Sequence, residues 1–84
     1  MKITVYVLKC ETSKKNYTGM TENVEARLKE HNAGKSKFTS GFGPWKIIYA
    51  EECPDREAAR KREKYLKSAA GRRFIKKMEQ MKSK

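Results

Sequence analysis

An 84-residue chain with hydrophobic and charged residues at 37% each has room for one modest core. Its 21 Lys+Arg against 10 Asp+Glu leave a net charge of +11, more than solubility requires, so a polyanion is the expected partner, nucleic acid ahead of an anionic membrane surface. No apolar stretch approaches a spanning helix in length, and two cysteines with one histidine exclude a zinc finger or ribbon.

The opening run Ile3-Thr4-Val5-Tyr6-Val7-Leu8-Lys9 is dense in β-branched and aromatic residues and predicts a strand. Alternation puts Ile3, Val5 and Val7 on one face and Thr4, Tyr6 and Leu8 on the other. Neither face is fully polar, so the strand should be central. Met1 to Cys10 carries no basic segment followed by an apolar core and a cleavage site. The expected location is therefore cytoplasmic, or nucleoid-associated in a bacterium.

Glu11 to Lys15 reads as a hairpin loop. It leads to a shorter strand over Asn16–Met20, where Gly19 signals a close approach by backbone or ligand. Thr21 or Asn23 can cap a helix over about residues 22–33, with Val24 and Leu28 facing inward and Gly34 as terminator. Lys35 to Pro44 reads as an exposed basic loop, and Trp45–Ala50 as the third strand. Asp55 should cap a helix running to about Ala70, where Gly71 interrupts it. Beyond it, Phe74, Ile75, Met78 and Met81 recur at helical spacing. Cys10 and Cys53 fall at strand ends and read as small apolar side chains, with no disulfide expected in the cytosol.

The order β-β-α-β-α-α predicts an α+β fold, sandwich-like, with a small three-stranded mixed or antiparallel sheet flanked by helices. One domain should span residues 1–84, frayed from about residue 82.

Certain polar residues fall on apolar faces. On the helix over 55–70, Glu63 shares an arc with Ala59, Leu66 and Ala70. An acid there is costly unless it is paired with a base or binds a cation. Arg27 and His31, four residues apart, project from one face of the first helix. Guanidinium recognises phosphate bidentately, and imidazole moves protons near neutral pH. Taken alone, His31 would be a packing residue and Arg27 a surface contact. Tyr6 and Tyr17 lie on strands that a hairpin brings side by side, where sheet packing is the ordinary role of tyrosine. Together these groups supply a proton acceptor, a positive clamp and a metal ligand, the parts that phosphodiester hydrolysis requires.

Val5-Tyr6-Val7-Leu8, Asn16-Tyr17-Thr18-Gly19-Met20-Thr21, Val24 to Asn32 and Arg60 to Lys67 resemble, in order, the motifs of the GIY-YIG nuclease domain. The resemblance runs from Ile3 to about Lys77 and is nearest to small stand-alone members akin to the nuclease domain of the excinuclease C subunit. It implies that Tyr6 and Tyr17 are the motif tyrosines, Gly19 the glycine of the second motif, Arg27 the catalytic arginine, His31 the histidine one turn later, and Glu63 the carboxylate that holds Mg²⁺ or Mn²⁺. The first motif departs as Thr4-Val5-Tyr6 in place of Gly-Ile-Tyr, the second as Tyr17-Thr18-Gly19 in place of Tyr-Ile-Gly.

The implied activity is metal-dependent endonucleolytic hydrolysis of DNA, by structure-dependent nicking in repair or recombination. Phenolate formation at Tyr6 or Tyr17 would need a nearby cation. Gly19, Lys35, Lys37, Arg60 and Lys64 are the expected nucleic-acid contacts. The expected partner is branched or otherwise structured DNA, with no membrane and no obligate protein partner. So small a surface leaves little room for base reading. The competing readings are a non-catalytic nucleic-acid-binding module of the same fold and, further off, a ribosome-associated or protein-interaction domain.

Overall fold

β1 (Ile3–Cys10) is the middle strand of a three-stranded sheet ordered β2-β1-β3, with β2 (Asn16–Thr21) and β3 (Trp45–Cys53) both antiparallel to it. The computed structural model describes residues 2–12, 15–33 and 44–82. Three helices complete the chain: α1 (Val24–Asn32), α2 (Arg56–Lys67) and α3 (Ala69–Lys82). The expected α+β order is thus observed, and the sheet is antiparallel throughout. Gly34, the expected loop over residues 35–43 and the last two residues lie outside the described residues.

The two apolar faces of β1 make two cores. Ile3, Val5 and Val7 pack with Ala59 and Leu66 of α2 and Ile75 of α3. Tyr6, Leu8 and Cys10 pack with Trp45 and with Val24 and Leu28 of α1. Helices therefore cover both sides of the sheet, and a central strand apolar on both faces is what that requires.

β3 is longer than its apolar run suggests, because Glu51 and Glu52 still pair with Val5 and Thr4. Glu51 is held on the sheet by Tyr49 and by Arg62, whose Nε donates to it at 3.1 Å. β3 also carries a bulge. Val7 pairs with Tyr49 but Leu8 with Ile47, leaving Ile48 as an extra residue. The strand's parity inverts there: Trp45 and Ile47 face α1, while Tyr49 and Cys53 face α2 and α3.

Of the two candidate caps, Asn23 caps α1 and Thr21 braces Asn23 from the end of β2. Asn23 Oδ1 accepts from Ala26 N at 3.1 Å, and Thr21 Oγ1 accepts from Asn23 N at 3.2 Å. Asp55 caps α2 as expected, accepting from Ala58 N at 2.8 Å. The break between α2 and α3 comes at Ser68, not Gly71, and Ala70 is exposed rather than inward. Gly71 is a buried residue of α3, and a Cβ there would lie 2.1 Å from Tyr65 O and 2.4 Å from Leu66 Cα. Its lack of a side chain lets α3 cross closely over the end of α2. Lys9 reaches across to Glu79 at 2.6 Å, tying β1 to α3. Cys10 and Cys53 are buried at strand ends, and neither is in a disulfide.

Candidate active site

The site begins with a cross-strand relationship in the hairpin. Tyr6 of β1 stands opposite Gly19 of β2, and Tyr17 stands opposite Leu8, so the two tyrosines are diagonal neighbours on one face. Their ring centroids lie 6.2 Å apart. A Cβ at Gly19 would sit 2.8 Å from Tyr6 Oη and 3.0 Å from Tyr17 Cε2. The close approach expected at Gly19 is thus made by the two phenol rings.

α1 crosses this face and brings His31 onto the tyrosines. His31 is 1% exposed, its Nε2 lies 3.1 Å from Tyr6 Oη, and its ring centroid lies 4.8 Å from that of Tyr17. The tautomer of the imidazole sets which of the two atoms donates. One turn earlier, Arg27 is held by Glu30, Nη1 to Oε1 at 2.9 Å, with its guanidinium within hydrogen-bonding reach of Tyr6 and Tyr17. Tyr6, Tyr17, Arg27 and His31 therefore meet at one place, as their order in the sequence implies.

Electrostatics fix their resting state. Burial holds the Tyr6 phenol above the usual tyrosine value. The Arg27 hydrogen bond and charge oppose that rise, and Tyr17 and the Glu63 carboxylate add to it. Burial, reinforced by the Arg27 charge, holds His31 below the usual histidine value against the pull of Glu30. The contact with Glu30, then those with Tyr6 and Tyr17, keep Arg27 firmly charged. The resting site is a neutral phenol on a neutral imidazole beside a permanent cation. Arg27 does favour the Tyr6 phenolate as expected, but desolvation outweighs it.

Glu63 comes from α2, on the inward stripe between buried Ala59 and Leu66. Its side chain is 22% exposed, and Lys67 Nζ stands 3.8 Å from Oε1, a loose pairing. No cluster of three or more His, Cys, Asp or Glu that could hold a metal occurs among the described residues. A lone, partly sheltered carboxylate fits Mg²⁺, which keeps most of its waters and binds through one or two carboxylates plus substrate phosphate.

Of the expected nucleic-acid contacts, Arg60 and Lys64 are exposed on α2, Gly19 is buried beneath the two phenol rings and so is not presented to a ligand, and Lys35 and Lys37 lie outside the described residues. Two positioning residues escaped the sequence reading. Glu30 orients Arg27, and an acid three residues after a base on a helix was its available signal. Asn32 closes a pair of hydrogen bonds with Trp45, Nδ2 to O at 3.2 Å and Oδ1 from N at 2.7 Å, pinning the end of α1 to the start of β3. No local signal marks Asn32, because its partner is set by tertiary structure.

A sequence profile of the GIY-YIG catalytic domain matches residues 2–78. The chain is similar to a UPF0213 protein of Clostridium perfringens, 45% identical over 64 residues that cover 75% of this chain and 68% of that one. It is also 38% identical over 77 residues to a UPF0213 protein of Staphylococcus haemolyticus, covering 90% and 93% respectively. The solution NMR structure of the UPF0213 protein of Bacillus halodurans superposes with a TM-score of 0.57 at 32% identity, over 93% of this chain and 85% of that one.

Proposed function

Because the chain belongs to the GIY-YIG catalytic domain family, a nuclease fold, we propose that it is a divalent-metal-dependent endonuclease hydrolysing DNA phosphodiester bonds. The observation that carries this reading is the Tyr6–His31 contact of 3.1 Å, buried beside a charged Arg27. A buried phenol–imidazole pair with a fixed guanidinium next to it is costly as mere packing and is suited to moving one proton beside a phosphate.

Glu63 is the residue that would hold Mg²⁺ or Mn²⁺, with water and the substrate completing its shell. When bound, the ion polarises the phosphoryl oxygen and makes water a better nucleophile at neutral pH. The protein's own groups do the rest. Tyr6 accepts the proton of the attacking water as its own passes to neutral His31 Nε2. Tyr17 closes the other side of the imidazole and fixes its plane. Arg27, oriented by Glu30, stabilises the charge gathering on the phosphorane oxygens. One carboxylate and one proton relay serve one strand per encounter, so the expected product is a nick in branched or otherwise structured DNA, as repair or recombination requires.

The test is a cleavage assay on flapped, branched and plain duplex DNA with Mg²⁺ or Mn²⁺, comparing the wild type with Glu63→Ala. Metal-dependent nicking that disappears in Glu63→Ala is the expected result. Binding without cleavage by the wild type would leave a nucleic-acid-binding module of the same fold.

A further inference from the structure

Among the described residues, Glu63 makes one ion pair, with Lys67 four residues on along α2, whose Nζ stands 3.8 Å from Oε1. Arg60 lies three residues before Glu63, a spacing that also allows a helical pair. It is exposed and makes no ion pair among the described residues. The two partners differ in shelter: the Glu63 side chain is 22% exposed and that of Lys67 57%. The carboxylate is thus the fixed member of the pair, and the ammonium, on its flexible four-carbon stem, the mobile one. Lys67 also borders a concavity with Lys15, Tyr17 and Arg72, and no carboxylate lines it. The ground beside the pair is therefore cationic.

We propose that Lys67 is a built-in competitor for the divalent cation: in the substrate-free protein its ammonium occupies the Glu63 carboxylate, and a divalent ion binds there only as that ammonium leaves. The inference rests on the reading of Glu63 as the metal ligand. A carboxylate engaged for part of the time has its apparent affinity for another cation reduced by the fraction of time it is free. An ammonium that leaves but stays nearby adds repulsion against the incoming ion. The pair is loose and meets water through the lysine, the class of contact that is worth little and is readily given up. Lys67 therefore weakens metal binding without abolishing it, where a tight bidentate arginine pair would close the site. The net charge of +11 acts in the same sense. The substrate-free site is thereby kept short of metal by its own helix.

The experiment is a Mg²⁺ titration of the full chain without DNA, read from the backbone amide NMR signals of α2, so that affinity is measured apart from turnover. Lys67→Met is expected to tighten Mg²⁺ binding about three- to tenfold at low salt, with the gain shrinking as salt screens the exposed ammonium. Lys67→Arg, which keeps the charge, should bind no more tightly than the wild type. Glu63→Gln should lose the binding altogether. Lys61→Met, which removes one exposed cation from another face of α2, is the control for bulk charge. A gain in Lys67→Met no larger than in Lys61→Met overturns the proposal, as does an equal gain in Lys67→Arg. Equal, Glu63-dependent affinity in the wild type and Lys67→Met overturns it and leaves Glu63 as the metal ligand. Binding that survives Glu63→Gln in every background overturns it and removes Glu63 from the metal as well. The expected gain in a protein that never cleaves DNA supports the competitor role and removes the nuclease reading.

Discussion

Gly19 and Tyr6 face each other across the hairpin at a distance that admits no side chain on the glycine: a Cβ there would meet the Tyr6 hydroxyl at 2.8 Å. The glycine of the second motif therefore has a steric duty, which is to let the phenol lie over β2 and reach His31.

Gly19→Ala tests this directly. The added methyl must push both rings, so turnover is expected to fall about 100-fold, as small displacements of a reacting group do. Stability should fall by about 1–3 kcal/mol from overpacking. Urea denaturation and single-turnover cleavage, run on the same preparation, separate the two effects. Normal turnover would show that the rings relax without consequence.

His31 gives a pH dependence with a definite sign. Its folded value is depressed by burial and by Arg27, so the unfolded chain takes up the proton first as pH falls. The stability from keeping it neutral is complete above the unfolded value of about 6.5 and is lost as pH drops below it toward the folded value. The difference in Tm between the wild type and His31→Gln should thus narrow as the pH falls below about 6.5. Turnover should fall in the same acid direction, since a protonated imidazole cannot accept from Tyr6. A turnover profile flat across that range would remove His31 from the proton path.

Arg27→Ala is expected to lower turnover by about 100- to 1,000-fold, the usual effect of losing one group that stabilises transition-state charge. Affinity for DNA, measured in EDTA, should change little. Arg27→Lys should recover only a small part, because an ammonium cannot span two phenols and Glu30 with one planar fork. A large loss of affinity with normal turnover would make Arg27 a binding residue.

Gly71→Ala concerns the scaffold alone. With Tyr65 O only 2.1 Å from the would-be Cβ and Leu66 Cα at 2.4 Å, backbone has to move. A loss of about 3 kcal/mol is expected, at the upper end for overpacking, visible as a lower urea midpoint. An unchanged midpoint would show that the α2–α3 crossing is loose.

What the sequence disclosed follows the range of each interaction. Strand alternation around Tyr6, the Asp55 cap and the placement of Glu63 on an inward stripe are local patterns, and they read correctly. Gly71 was misread because its role depends on a helix crossing that its neighbours do not encode, and a glycine in a polar run looks like a stop. The end of β3 was missed because Glu51 owes its place in the sheet to Arg62, eleven residues later on another element. Within the site, the side chains that touch the rings lie in recognisable motifs. Glu30 and Asn32, which hold those side chains in place, lie in the same stretch, but their partners, Arg27 and the Trp45 backbone, are set by the folded structure.

The bulge at Ile48 has a consequence for how the molecule comes apart. It gives one backbone to both hydrophobic cores, the first part of β3 serving the tyrosine–histidine side and the rest serving the α2–α3 side. Neither helical layer can detach without withdrawing support from the same strand. Two small cores that would each be marginal are thereby joined through one strand, and the tyrosine–histidine side is expected to melt together with the side that carries Glu63.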